Sequence, residues 1–192
     1  MDYFAPDRII EPERGDLLIS EPYLPDPNFE RTVIFLCEHD DNGTFGFVLN
    51  KPSQSLLPDL IEEVEGFDAN VYVGGPVQQN TLHFLHRSAL NLDHDRKIVN
   101  GVFWGIDFEN LLSNINTRMI TPEDLKFFVG YSGWAPGQLM EELEAKSWIV
   151  YKNADPEMIF DIDPDSLWKE VLNRLGGKYR VISNYPTDPR LN

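Results

Sequence analysis

The sequence predicts an α+β domain built on a largely antiparallel sheet. Strand-like and helix-like segments come in mixed order rather than in clean alternation, and several strand pairs are joined by tight-turn signals, which argues against a doubly wound parallel sheet. The third observation is bulk: 192 residues, 42% hydrophobic and 25% charged, with 12 Phe, 7 Tyr and 4 Trp, suit one well-buried core.

Residues 1–14 are rich in Pro, Asp, Glu and Arg and read as an extension to a domain spanning 15–192, with Tyr3, Phe4, Ile9 and Ile10 available to dock it. GDLLISEP is a short strand. RTVIFLCEH is apolar without a break from Val33 to Cys37, the pattern of a strand buried on both faces. DDNG then turns the chain and TFGFVLNKP returns as its hairpin partner, where Gly46 signals a bulge or a close backbone approach.

LLPDLIEEVEGF reads as a helix with Leu57, Leu60, Ile61 and Val64 on one face, ending at Gly66. ANVYVGGPV is a strand interrupted by Gly74, Gly75 and Pro76, read as a chain reversal or bulge, and TLHFLHRS is another strand. Beyond the acidic loop NLDHDRK, IVNGVFWGI carries an Asn-Gly turn and DFENLLSNINTR a helix. TPEDL offers a Thr-Pro helix start before strand LKFFVGY. WAPGQLMEELEAK is a helix with Pro136 in its first turn, and SWIVY a strand. The tail adds MIFDI, the helix PDSLWKEVLNRLGG with Leu167, Val171, Leu172 and Leu175 inward, and YRVISNYP.

Charge narrows the function classes. Sixteen Lys plus Arg against 32 Asp plus Glu give a formal net charge of -16, a field that repels polyanions, and no basic run appears, so direct nucleic-acid binding is disfavoured. Cys37 is the single cysteine, which rules out an intrachain disulfide and suits a reducing compartment. No leader-like apolar segment and no run of about 18 apolar residues is present, so the expectation is a soluble cytoplasmic protein.

The stretch GYSGWAPGQL, residues 130–139, resembles the elbow that presents a catalytic serine. That elbow needs G-x-S-x-G, and here Trp134 occupies the fifth position. None of His39, His83, His86 and His94 can be assigned as a base for Ser132, so no catalytic residue is assigned. Two readings of the loop remain. One is a structural turn in which Gly130 and Gly133 supply backbone freedom and Trp134 plugs the core. The other is a helix N-terminus whose N–H groups face an anion, with Tyr131, Ser132, Trp134 and Gln138 lining the pocket.

Cys37 and His39 sit two apart on a strand, where a neighbouring imidazolium would activate a thiol, although the apolar run around Cys37 also suits an inert core cysteine. His83 and His86 form H-x-x-H, but on a strand they face opposite ways, and with no other metal-ligand pattern neither a metal nor a cofactor is assigned. Gly74-Gly75-Pro76 lacks both the dinucleotide spacing and the phosphate-loop lysine. Asn28, Phe29 and Arg31 precede the buried strand, and Arg31 reads either as a partner for a carboxylate or phosphate or, as a lone arginine in so acidic a chain more often is, as a surface ion-pair partner.

Taken together, GDLLISEPYLPDPNFERTVIFLCEHDDNGTFGFVLNKP, VYVGGPV, LHFLH and FFVGYSGWAPGQLMEEL followed by Trp148 resemble the YqgE/AlgH family of bacterial proteins. The resemblance runs from about Gly15 through the last helix. It implies a single α+β domain with a barrel-like or bifurcated sheet surrounded by helices. It implies no established reaction, only a regulatory association with alginate synthesis, and carries over no catalytic residue. The expected function is a non-enzymatic binding or regulatory module. Its cleft, formed where the 28–39 and 131–138 blocks meet, would hold a small anionic ligand or a partner peptide. The alternative is a thiol-dependent or hydrolytic enzyme using Cys37 or Ser132.

Overall fold

One long strand, β9 (Leu125–Trp134), organises the molecule. The computed structural model describes residues 8–87 and 95–187; Tyr3, Phe4, Asp93 and His94 lie outside them. The other strands are β1 (Leu17–Ser20), β2 (Val33–Asp40), β3 (Gly43–Val48), β4 (Pro52–Leu56), β5 (Asn70–Val73), β6 (Val77–Arg87), β7 (Arg96–Val99), β8 (Val102–Gly105) and β10 (Trp148–Tyr151). They form one 10-stranded sheet in the order β10-β1-β2-β3-β9-β6-β8-β7, with β5 joining β9 and β4 joining β5. Every pairing is antiparallel except β5 with β9, and the outermost strands β10 and β7 do not meet, so the sheet stays open.

The sheet forks at β9. β6 takes one edge from Leu125 to Tyr131, while the other edge is divided: β5 pairs with Phe127 to Val129, and β3 with Ser132 to Trp134. The expected bifurcation is therefore real, and GGP sits in its crotch. Gly74 N–H donates to the Val129 carbonyl, and the Gly74 carbonyl accepts from Val48 N–H and from the Ser132 hydroxyl at 3.1 Å. A Cβ on Gly75 would lie 2.2 Å from the Tyr131 carbonyl carbon and oxygen, so only glycine allows the two backbones to meet there.

Three apolar clusters cover the faces of this sheet. In β2, Val33, Phe35 and Cys37 enter one core while Ile34 and Leu36 enter another, as a strand buried on both faces requires. The first core packs against α4 (Pro164–Leu175) through Leu167, Trp168, Val171 and Leu172, with Leu175 at its margin. The second joins Leu57, Val64, Phe84 and Phe127 to α1 (Phe108–Asn116) through Leu111 and Ile115. The third holds Trp134 and Trp148 against α2 (Gln138–Glu144) through Leu139 and Leu143. Each large side chain so buried contributes about 1.5–3 kcal/mol. The β2/β3 register slips at Cys37, and a Cβ on Gly46 opposite would come 2.2 Å from the Phe35 carbonyl oxygen, so the expected bulge and close approach occur together.

Asp16 ties down the segment before the sheet. Its buried carboxylate accepts from the Glu13 and Asn153 backbone N–H groups and pairs with Lys152, while Ile10 packs on the third core and Ile9 stays exposed.

Several local expectations are corrected. The segment 57–66 is not one helix but two short 3-10 turns, Leu57–Asp59 and Glu62–Val64, separated by the extended backbone of Ile61; Leu60 is exposed. The Thr-Pro signal likewise starts only the turn Pro122–Asp124. The GYSGW segment is strand throughout, and α2 begins at Gln138 behind a left-handed Gly137, so Pro136 lies in the connecting turn rather than in the helix. Two further short helices, α3 (Pro156–Phe160) and α5 (Tyr179–Ile182), close the tail. Among the described residues no helix is long and apolar enough to cross a membrane.

Candidate functional site

Ser132 is fully buried, and its hydroxyl donates to Gly74 at the fork. Among the described residues no histidine bonds it. The motif that suggested an elbow is a joint in the sheet, and the serine fills the carbonyl's second acceptor site where two strands diverge. Cys37 is likewise fully buried, its sulfur facing the Phe35 carbonyl at 3.8 Å, and desolvation pushes the thiol well above its ordinary pKa. His39 does not activate it; its Nδ1 is hydrogen-bonded to the Thr44 hydroxyl at 2.6 Å.

The remaining histidines separate as the strand period requires. His83 packs on Phe47 and bonds the Thr81 hydroxyl, with its pKa lowered by burial, whereas His86 stacks on Phe103 and meets Asp95 at 2.6 Å. Among the described residues no group of three or more His, Cys, Asp or Glu side chains converges as metal ligands would.

Among the described residues a groove runs across the end of β9. On one side of Gly133 and Trp134 lies a depression of about 540 Å³ bounded by Glu38, Asp40, Thr44, Phe45 and Tyr131. On the other lies one of about 360 Å³ bounded by Asp26, Phe29, Gln138, Glu142 and Trp148. The two depressions of the groove are adjacent and share Gly133 and Trp134 at the fork.

Its floor is aromatic. Phe29 meets Trp148 edge-on at 5.4 Å and Trp134 at 6.5 Å, the two indoles are 6.0 Å apart, and Phe45 contacts Tyr131 at 5.8 Å. One oxygen of Glu142 accepts both indole N–H groups, from Trp134 at 2.9 Å and Trp148 at 2.7 Å, and the other accepts from the Gln138 amide. Gln138 in turn accepts from Ala135 N–H, so the α2 carboxylate locks the floor and the connecting turn together.

The groove brings together residues of both expected blocks, but not the expected set. Tyr131, Trp134 and Gln138 line it, while the 28–39 block contributes Phe29 and Glu38 rather than Asn28 or Arg31, and Leu24 and Asp26 join from the segment before it. The Asn28 backbone N–H closes a turn on Asp26, leaving the residue on the rim. Arg31 has positive φ and is turned inward, donating to the Tyr185 and Pro186 carbonyls and stacking 4.8 Å over Trp168, so it anchors the tail. Glu142 and Trp148 are groove residues the motif did not signal. Glu142 sits four positions after Gln138, one helical turn further along the same face.

An open, forked, mostly antiparallel sheet with an aromatic groove over the fork defines an α+β class by architecture rather than by catalytic machinery. The profile described as AlgH-like matches residues 17–180, and the chain belongs to that family. A UPF0301 protein of Cytophaga hutchinsonii is 46% identical over 180 residues, covering 93% of this chain and 98% of that one. The crystal structure of protein DIP2367 from Corynebacterium diphtheriae is similar at 25% identity and TM-score 0.78, covering 93% of this chain and 95% of that one. The solution structure of the AlgH protein from Pseudomonas aeruginosa is similar at 30% identity and TM-score 0.71, over 90% and 94% of the two chains.

Proposed function

We propose that this protein is a non-enzymatic binding module of the cytoplasm whose groove over the sheet fork takes a basic segment of a protein partner. One observation carries the reading: the groove sets the partly exposed rings of Phe29, Phe45 and Tyr131 beside the carboxylates of Asp26 and Asp40, with Glu38 paired to Arg96, and among the described residues no Lys or Arg lines it. Flat aromatic faces next to carboxylates suit an arginine, which stacks on a ring while its guanidinium forks onto a carboxylate. The same lining disfavours the small anion that the 131–138 motif suggested. Against the enzymatic alternative stand the buried, hydrogen-bonded Ser132 and the buried thiol of Cys37. A regulatory role would then run through protein contact and not through DNA, consistent with the net charge of -16.

The test is fluorescence anisotropy with a labelled Arg-rich peptide, a Glu-rich peptide of equal length and inorganic phosphate as competitor. The Arg-rich peptide should bind, and Asp26→Asn with Asp40→Asn should weaken it roughly ten-fold while leaving the fold intact, because Asp40 is exposed, Asp26 is half-buried, and Asn keeps the Oδ1 that accepts the Asn28 and Asn42 N–H bonds. Preference for the Glu-rich peptide, displacement by phosphate, or indifference to the double variant would overturn the reading.

A further inference from the structure

Lys126 lies at the opposite end of β9. The residue is 5% exposed in the middle of the sheet, paired across to Leu85. Its Nζ donates to one backbone carbonyl, that of Ile159, at 3.0 Å and sits 4.1 Å over the Tyr72 ring. Among the described residues no carboxylate lies within ion-pair distance of it. A buried ammonium without a counter-charge is costly, and a lysine in such a place favours the free amine.

That amine borders a pocket. A cavity of about 240 Å³ is lined by Asp68, Asn70, Tyr72, Glu123, Lys126 and Phe160, among others. Nζ is bracketed by that wall: the Tyr72 ring it faces lines the cavity, and the carbonyl it bonds belongs to the residue preceding Phe160. The volume admits a compound of a few heavy atoms. Asp68 and Glu123, both exposed at the rim, repel anions.

We propose that Lys126 is a nucleophilic amine site for small uncharged carbonyl compounds, aldehydes or ketones, which it captures as an imine. The free amine adds its lone pair to the carbonyl carbon, the carbonyl π electrons take up a proton to give the carbinolamine, and loss of the hydroxyl with the remaining nitrogen proton as water leaves the C=N bond. No oxidant or reductant enters this step. Burial supports it by holding the amine near pKa about 7, so that about half is unprotonated at neutral pH. The site is independent of the groove, and either stands if the other fails.

The experiment is reductive trapping on the wild-type protein: propionaldehyde with sodium cyanoborohydride, followed by peptide mapping across its seven lysines. The expected result is propylation at Lys126 on the order of ten-fold faster at pH 7 than at the exposed lysines, whose amines need pH near their ordinary value of about 10.4. The Lys126 rate should rise with a midpoint near its own pKa, and its preference should vanish in urea. Labelling of the surface lysines with Lys126 unmodified, or a Lys126 rate no faster than theirs in the folded protein, would overturn the proposal.

Discussion

The two ends of β9 each bury a polar side chain, and they do so on opposite terms. Ser132 gives its proton to a carbonyl that the forking sheet leaves with a vacant lone pair, so the local structure accounts for it in full. Lys126, six positions earlier, brings a charge-bearing group to a place that offers one carbonyl and an aromatic face. Burial alone therefore does not mark a functional residue; what separates the two is whether the surrounding backbone asks for the group. At the fork one carbonyl satisfies the hydroxyl in full, whereas at the Lys126 pocket one carbonyl and one ring stand where an ammonium calls for a counter-charge.

The comparison breaks most severely at the fork's backbone. Gly75→Ala places a Cβ 2.2 Å from the Tyr131 carbonyl and 2.4 Å from the Ser132 nitrogen, atoms that cannot swing aside. Urea denaturation should show a loss of about 4 kcal/mol or more, or no folded protein at all. A variant with near wild-type stability would mean that the fork is loose.

Lys126→Met sharpens the other side. The folded pKa of about 7 lies below the ordinary lysine value of 10.5, so between those limits the unfolded chain binds the extra proton. Wild-type stability should thus gain a component of about 1.4 kcal/mol per pH unit as pH rises from about 7 towards 10, and pay the full desolvation cost below pH 7. Subtracting the Lys126→Met curve isolates that component. Parallel curves for the two proteins would show that the amine is not desolvated.

The smallest effect belongs to Ser132→Ala, because Gly74 keeps its bond from Val48. A loss of about 1 kcal/mol is expected, with peptide binding in the groove unchanged. Abolished binding would return Ser132 to the functional site.

Much of the architecture was legible because it follows from local pattern. The unbroken Val33–Cys37 run announced a doubly buried strand, Gly46 announced the bulge, and the α4 periodicity named three of its buried residues. Trp168 escaped because its indole faces the Ser20 carbonyl, a contact 148 residues away in sequence. The forked sheet was expected only through the family resemblance, and the residues that make the fork were not identified. Gly74, Gly75 and Ser132 look like a reversal and an elbow when read separately, and acquire their meaning only when the strands carrying them meet. Groove residues on the motif itself, Tyr131, Trp134 and Gln138, were within reach. Arg31 was misread because nothing local shows that a left-handed backbone will turn its guanidinium towards the C-terminal carbonyls. Lys126 gave no signal at all, since one lysine at the start of an apolar strand looks like an ordinary exposed flank.

The fork also dictates an order of events during synthesis. Strands β3, β5 and β6 all end before residue 88, yet each takes its place in the sheet against β9, which starts at Leu125. A nascent chain that has emerged only as far as α1 holds its apolar hairpins with the central seat empty, and such long-range closure is slow. The sheet is thus closed at its middle only late, with the strand that three others require among the last to arrive.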